Sequence, residues 1–370
     1  MNYLLLATFG EVMTYIGYIF LAILILLIMI TVHEFGHYIV GKIFGFGIEE
    51  FAIGFGPKIF KKTKANGEVF SIRAFPLGGF CSFRGEDKDD TDPSAFNNKK
   101  PWQRILVLVA GPLMNYLFAV LLIMLMFGIY GQQSFKVKDV TLTTPTEYCL
   151  QEGDVILSAD GTNVYLTTDL MNALEDKKKG ELVDFTVRRD GKDVNIKVMM
   201  QADGTSKNVE DLKTMFVAIG AYKPAEVEGR IYGGLSQTSV TFGFFKTIGR
   251  SFEYSFKLAG TIFTVLGQLL TGRLGLSAMG GTVTTITVTA DAIRTGGLWY
   301  VFYMSSFIGV NLAVFNLLPF PALDGSRVVF TGIEWVRKKP ISRKVEGIIH
   351  AVGFVLLIGL AILFDLQHCF

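Results

Sequence analysis

The chain has 370 residues, of which 50% are hydrophobic and only 18% are charged. Soluble globular proteins carry about 25% charged residues, so this composition excludes an ordinary soluble domain and indicates a membrane protein. The net charge of +2 comes with no basic block, and we expect no nucleic-acid partner. Three cysteines without metal-site spacing are too few for a disulfide framework.

Four stretches of the chain are apolar over about 20 residues, the length that crosses a bilayer. They run roughly over residues 15–44, 105–130, 298–318 and 348–366. A further apolar stretch at 242–270 is interrupted by four charged residues, and we predict an interfacial amphipathic helix there. A fifth membrane span is the alternative for this stretch.

Lysine and arginine cluster in the loop between the first two spans and in the loop between the last two. The positive-inside rule therefore predicts that both loops are cytoplasmic and that both termini lie outside. The long segment from about 132 to about 235 then lies outside, because long domains are translocated largely regardless of charge.

Both connecting segments have strand character. In the outer segment, strands at 182–189 and 194–199 alternate around Asp190-Gly191, and a helix is predicted near 167–177. In the cytoplasmic segment, strands at 50–60 and 68–75 flank Asn66-Gly67 and predict a β-hairpin. A loop at 76–80, rich in Pro and Gly, follows. We expect this apolar hairpin to dip into the membrane, where protein or a water-filled cavity covers its backbone.

The end of the first span carries the motif His33-Glu34-Phe35-Gly36-His37. A spacing of four residues places both imidazoles on one face of a helix, where they can reach the same metal ion. Glu34 lies beside them and can take a proton from a metal-bound water. The motif predicts a zinc hydrolase site, since a chance match or a structural pair of polar residues at membrane depth is less probable.

A catalytic zinc site needs a third protein ligand. Asp324 is the favoured residue, because it follows the third span on the same side of the membrane as the histidine pair. Pro319 and Pro321 break the helix before it and free the backbone to turn the carboxylate inward. The alternative is that Asp324 only caps the following helix. The remaining histidines, His350 and His368, lie in no ligand-like motif.

Four motifs in this order resemble the site-2 protease family of intramembrane zinc metalloproteases, in particular its bacterial RseP-type members. They are the H-E-x-x-H at 33–37, Pro76-Leu77-Gly78-Gly79-Phe80, Ala110-Gly111-Pro112-Leu113-Met114-Asn115 and the N-x-x-P-x-P-x-L-D-G stretch at 316–325. The resemblance covers nearly the whole chain. It departs from the family at Ser326, where many relatives have glycine.

The resemblance implies that His33, His37 and Asp324 bind Zn²⁺ and that Glu34 is the catalytic acid and base. It also implies that Asn316 acts in catalysis and, with Gly78 and Gly79, in substrate binding. The expected partners are the lipid bilayer and single-pass membrane proteins already shortened by another protease, such as anti-sigma factors or remnant signal peptides. The expected location is a bacterial inner membrane, with the active site toward the cytoplasm.

The expected fold is an α-helical polytopic membrane protein of about four transmembrane helices, with a membrane-associated β-hairpin and one extracytoplasmic PDZ-like domain. We expect an N-terminal protease core (1–131), the PDZ-like domain (132–200), a linker with the amphipathic helix (201–280) and a C-terminal core (281–370). The PDZ-like domain either binds peptides or acts as a steric filter. A metal transporter and a non-catalytic scaffold are the alternative functions; the nearly apolar second and fourth spans disfavour the first, and Glu34 disfavours the second.

Overall fold

A computed structural model describes residues 9–86, 90–141, 148–204, 212–224, 231–275 and 279–369. The chain forms two compact units, one from Met1–Met126 with Ile248–Phe370 and the other from Phe127–Thr247. The helices within the described residues are, in chain order, α1 (Phe9–Ile43), α2 (Pro101–Tyr130), α3 (Thr167–Ala173), α4 (Leu212–Ala218), α5 (Phe244–Leu270), α6 (Thr282–Leu317), α7 (Asp324–Arg337) and α8 (Arg343–Cys369).

The strands are shorter and fall into three sheets. In chain order the described strands are β1 (Ile48–Thr63), β2 (Val69–Phe83), β3 (Gln132–Val137), β4 (Val155–Ala159), β5 (Thr162–Asn163), β6 (Leu182–Arg189), β7 (Lys192–Met199), β8 (Tyr222–Pro224), β9 (Ile231–Gly233) and β10 (Leu235–Val240).

Four of the described helices, α1, α2, α6 and α8, are long and apolar enough to cross a membrane. This confirms the four spans that the sequence predicts. The third is longer than predicted, because α6 begins at Thr282 and bends at Gly297, which has φ 64° and ψ −150°. The first half of α6 is rich in threonine, which lowers its mean hydropathy. The sequence therefore predicts a span only after Gly297.

The stretch at 242–270 forms the helix α5, as predicted, and α5 is not among the four apolar helices. Its exposed side carries Phe244, Phe245 and Phe256, whereas Arg250 and Ser255 are buried. The Ser255 hydroxyl lies 2.7 Å from the hydroxyl of Tyr116 on α2. A helix that buries polar groups and exposes phenylalanines is suited to an apolar surrounding.

The predicted hairpin is present as β1 and β2, but the strands curl back on themselves. Residues 50–53 of β1 lie opposite Val69–Ile72 and also opposite Gly79–Ser82. The prediction of a loop at 76–80 is wrong, because these residues lie within β2. Proline is tolerated in a strand at a bulge, where no donor is needed, and Gly78 makes the local bend with φ 109°.

The second unit is built on a sheet of order β10-β3-β4-β6-β7, with β5 paired to β4. The turn Asp190-Gly191 joins β6 and β7 as predicted, and the predicted helix is α3, which ends four residues early at Ala173. Its core contains the fully buried side chains of Ile156, Leu170, Phe185 and Met215. The unit continues beyond residue 200, since β10 pairs with β3.

Ion pairs hold the helix α7 in the first unit. Arg104 on α2 donates to Glu334 over 2.7 Å, and both side chains are only 7% exposed. Arg327 donates to Glu86, which follows β2. Because buried charges are costly unless they are paired and hydrogen-bonded, the Arg104–Glu334 pair favours the observed packing of α7 against α2.

Candidate metal centre

The two histidines of the motif lie one turn apart on α1 and are both buried. Nδ1 of His37 lies 2.8 Å from the carbonyl oxygen of Val107 on α2. A carbonyl oxygen only accepts, so Nδ1 must donate and the lone pair of a neutral ring lies on Nε2. Nε2 of His33 lies 3.2 Å from Nε2 of His37, so the two atoms converge.

Asp324, the first residue of α7, completes this arrangement. Its Oδ2 atom lies 3.0 Å from His33 Nε2 and 3.3 Å from His37 Nε2. Burial alone would raise the pKa of Asp324, but the two facing imidazoles, in their protonated form, hold it below its ordinary value. The carboxyl is therefore an ionised oxygen donor that faces two nitrogen donors.

These three atoms fit a zinc ion. Zinc with nitrogen and oxygen ligands about 2.0–2.2 Å away in tetrahedral geometry separates its ligand atoms by about 3.3 Å, close to the distances observed. Among the described residues, the buried Oδ2 atom of Asp324 has no hydrogen-bond partner, as expected of an atom reserved for a metal. Within the described part of the chain, one group of three or more ligand-type side chains comes together, and it consists of His33, His37 and Asp324.

Space beside the histidines depends on Gly111 of α2. A Cβ atom at this position would lie 2.9 Å from Cε1 of His33 and closer still to Nε2 of His37. Real Cβ atoms do not approach neighbours this closely, so a side chain at position 111 would displace the imidazoles. The glycine of the A-G-P-x-x-N motif therefore allows α2 to pass directly beside the metal-binding face of α1.

Glu34 is held beside these ligands by the backbone of β2. The amide of Cys81 donates to Glu34 Oε2 over 2.9 Å. Gly79 also adjoins it, since a Cβ atom at Gly79 would lie 3.6 Å from Cγ of Glu34. One carboxylate oxygen is thus anchored, which orients the side chain and leaves the other oxygen for proton transfer.

Asn115 lies on α2 one turn beyond Gly111 and is fully buried. Nδ2 of its side-chain amide lies 3.4 Å from Nδ1 of His33. If His33 binds a metal through Nε2, its Nδ1 carries the proton and needs an acceptor, which the Asn115 amide supplies when Oδ1 faces the ring. The two amide orientations have nearly the same shape, so this chemistry decides between them.

The remaining predicted site residues lie at different places. Asn316 is half-buried in the last turn of α6, and no hydrogen bond between the described residues ties it to the three ligands. Gly78 forms the bend in β2, where an added Cβ would collide with the ring of Phe55. Of the two glycines, Gly79 is the one whose added Cβ would meet Glu34.

Sequence reasoning missed the groups that orient the ligands. The Val107 carbonyl and the Cys81 amide are backbone atoms, and no residue type in the sequence marks them. Gly111 and Asn115 were visible as parts of a motif, but that motif did not reveal that both residues face the histidines. Their role depends on how α2 packs against α1.

Comparison with known proteins agrees with this geometry. Residues 21–360 match the model of peptidase family M50. A protein of Clostridium perfringens described as a candidate zinc metalloprotease is 34% identical, over 95% of this chain and 98% of its own. The zinc metalloprotease RasP of Geobacillus kaustophilus is 28% identical, over 92% of this chain and 96% of its own.

The regulator of sigma-W protease RasP of Bacillus subtilis is also 28% identical, over 92% of this chain and 96% of its own. The family match covers most of the chain and includes the histidine pair, Glu34 and Asp324. The chain therefore belongs to peptidase family M50, the site-2 proteases, and is a zinc metalloprotease with Zn²⁺ as its cofactor.

Proposed function

We propose that this protein is an intramembrane endopeptidase in which His33, His37 and Asp324 hold the zinc ion and Glu34 is the general base. The observation that carries this proposal is the convergence of three ligand-type atoms, two from the membrane-type helix α1 and one from α7, beside an anchored glutamate. Three protein ligands leave a fourth position open, which distinguishes a catalytic zinc site from a structural one.

The chemistry divides between the metal and Glu34. When bound, zinc supplies Lewis-acid polarisation of the scissile carbonyl and lowers the pKa of the attacking water toward about 7. Glu34 takes the water's proton at the carboxylate oxygen that Cys81 does not occupy and later delivers it to the leaving amine. Asn115 and the Val107 carbonyl keep the two imidazoles in the tautomer that presents Nε2 to the metal.

The proposed substrates are single-pass membrane proteins already shortened by another protease. A transmembrane helix hides its carbonyls in internal hydrogen bonds, so it must unwind locally, and the unwound backbone needs new partners. The β1–β2 sheet can supply them by strand addition. It is suited to this role because Gly79 and Cys81 adjoin Glu34, and because Phe55, Ile59 and Phe75 expose apolar surface suited to the membrane.

Two finer assignments belong to the same proposal. Gly78 and Gly79 would let the substrate backbone approach β2, and Asn316 would position the substrate. The name of the Bacillus subtilis relative, a regulator of sigma-W protease, supports membrane-anchored anti-sigma factors as one substrate class. Remnant signal peptides are another, because each is also a short membrane-spanning helix.

The proposed orientation places β1 and β2 in or near the cytoplasm and the unit Phe127–Thr247 outside, with that unit acting as a PDZ-like filter. The clusters of lysine and arginine in the two short loops support this orientation. Cysteine labelling tests it at two exposed positions, Lys61→Cys in β1 and Lys192→Cys in β7, in a background without other cysteines. Labelling from the same side of the membrane would refute the orientation.

The decisive experiment for the function is Glu34→Gln. The variant should keep its zinc, because Glu34 is not a ligand, and should lose about 10²–10⁴-fold or more in the cleavage rate of a model single-pass substrate. Zinc content and cleavage are measured on the same detergent-purified protein. Near-normal cleavage by the variant would refute the assignment of Glu34 as the general base.

A further inference from the structure

The loop that leads into Asp324 holds an unfavourable backbone conformation. Ala322, two residues before the proposed ligand, has φ 80°, in the left-handed region that favours glycine. The next residue, Leu323, is extended, and α7 begins at Asp324. The torsion angles of Ala322 therefore set the direction in which α7 and its first carboxylate point.

A side chain on α8 holds this residue in place. The amide of Ala322 donates to Nδ1 of His350 over 3.0 Å. A backbone amide only donates, so Nδ1 must carry the lone pair and the proton of the neutral ring lies on Nε2. Nε2 is buried without a hydrogen-bond partner among the described residues, and the nearest carboxylate oxygen, on Glu346, is 3.9 Å away.

Two further contacts keep the ring and the loop together. The ring of Phe330 on α7 meets the His350 ring edge-on, with centroids 5.7 Å apart. One turn along α8, a Cβ atom at Gly353 would lie 2.6 Å from the carbonyl oxygen of Pro321. The helix α8 therefore approaches the loop closely enough to act on both Pro321 and Ala322.

We infer that His350 is a positioning residue for the metal centre: its Nδ1 holds the Ala322 amide, and through it the place of Asp324 Oδ2. The inference rests on the proposed role of Asp324 as a ligand. His350 lies in no ligand-like motif, so the sequence predicts that replacing it changes neither zinc content nor activity. The contact with Ala322 reverses that prediction.

Two substitutions separate positioning from simple packing. In His350→Asn, Oδ1 is attached to the γ carbon, as Nδ1 is in histidine, so an acceptor stays near its original place. In His350→Gln, the acceptor lies one carbon further along, although glutamine matches the size of histidine better. Positioning therefore predicts that the asparagine variant is the better of the two, whereas packing predicts that the glutamine variant is at least as good.

The experiment measures zinc affinity of the full-length protein in detergent by competition with a chelator, together with thermal unfolding of the metal-free protein. His350→Gln should bind zinc about 10–100-fold more weakly, the range typical of groups that orient metal ligands. His350→Asn should stay within about threefold of the wild type, well short of the loss typical for removing such a group. Unchanged affinity in His350→Gln, or a loss in His350→Asn that equals or exceeds it, would overturn the inference.

Two controls complete the design. If His350→Gln does not fold, His350→Asn decides instead, because it keeps an acceptor near the place of Nδ1; a loss of zinc affinity of about tenfold or more would then overturn the inference. Asp324→Ala separates this inference from the proposed ligand set. Full zinc affinity in Asp324→Ala refutes the ligand set, whereas loss in Asp324→Ala with normal affinity in His350→Gln refutes only the role of His350.

Discussion

Nδ1 of His37 on α1 donates a hydrogen bond to the carbonyl oxygen of Val107 on α2, 2.8 Å away. This one contact fixes the tautomer of the ring and aims Nε2 toward Asp324, which lies 3.3 Å from it. The proposed role of α1 in metal binding therefore depends on the register between α1 and α2 as well as on the H-E-x-x-H motif.

Asp324→Ala should lower both zinc content and cleavage. It removes the oxygen donor that faces both imidazoles at 3.0 Å and 3.3 Å and leaves the ion two protein ligands. The matched control is Asp291→Ala, which removes a half-exposed carboxylate of α6. Among the described residues, its ion-pair partner is Arg294. Metal analysis of purified protein checks the prediction, and a full zinc complement in Asp324→Ala would contradict it.

Asn115 should be replaceable by aspartate but not by leucine. Aspartate offers acceptors to the protonated Nδ1 of His33, as carboxylates commonly do behind zinc-bound histidines, whereas leucine offers none. Asn115→Leu should weaken zinc binding by about 10–100-fold, and Asn115→Asp should retain most of it. Chelator competition measures both. Equal losses would show that Asn115 contributes only by its packing.

The residues proposed as ligands and base could be picked out from the sequence because short spacings bring them together. Positions 33, 34 and 37 fall on adjacent parts of one helix whatever surrounds them, and Asp324 follows directly from a broken helix. The contacts of His33 and His37 with α2, and of Ala322 with His350, join distant parts of the chain. They arise from helix packing, which no local pattern in a single sequence specifies.

The region around residues 76–80 shows a different limit. Pro76 and the two glycines that follow were interpreted as strand breakers, yet the chain uses them to bend β2 without ending it. Such a bend lets one strand pair with β1 in two places, which brings Gly79 and Cys81 to Glu34. Propensity alone cannot separate a bend within a strand from its end.

Arg104→Met should destabilise the protein strongly. It removes the 2.7 Å ion pair with Glu334 and leaves a buried carboxylate without its main cation, which typically costs about 3–5 kcal/mol. The cost should lie at the low end, because Arg343 lies 3.8 Å from Glu334 and the Ile341 amide also donates to it. Replacing both partners by apolar residues should recover most of the loss. Thermal unfolding of the two variants tests this, and a double variant no better than the single one would contradict it.

Glu68 should give the β1–β2 sheet a pH-dependent stability. Burial alone would raise its pKa, but hydrogen bonds from Lys42, Lys64 and Tyr38 lower it from 4.5 to about 2. A lowered pKa means stabilisation that is complete above pH 4.5 and is lost as the pH falls toward 2. It amounts to at most about 3 kcal/mol, and less where water screens the half-exposed lysines.

Glu68→Gln should therefore unfold at a lower temperature than the wild type at pH 7, and the difference should shrink as the pH falls from 4.5 toward 2. The matched control is Glu49→Gln, which removes an exposed carboxylate of the same sheet and should unfold at about the same temperature as the wild type at pH 7. A constant difference between the Glu68→Gln variant and the wild type over this range would show that the ion pairs do not contribute as charges.

Removal of the second unit should leave the chemistry intact but relax the choice of substrate. His33, Glu34, His37 and Asp324 all belong to the first unit, and the second contributes none of them. The deletion should join Met126 to Ile248 through a flexible linker, because β10 pairs with β3 and a cut at residue 200 would break the sheet.

A filter discriminates by repelling bulky substrates and adds no affinity for trimmed ones. Full-length substrates should then be cut, while pre-trimmed ones are cut at about the wild-type rate, since only repulsion has been removed. Both forms are compared in membranes, with zinc content as the control for folding. If the shortened protein holds zinc but no longer cuts the trimmed form, the second unit is a substrate receptor and not a filter.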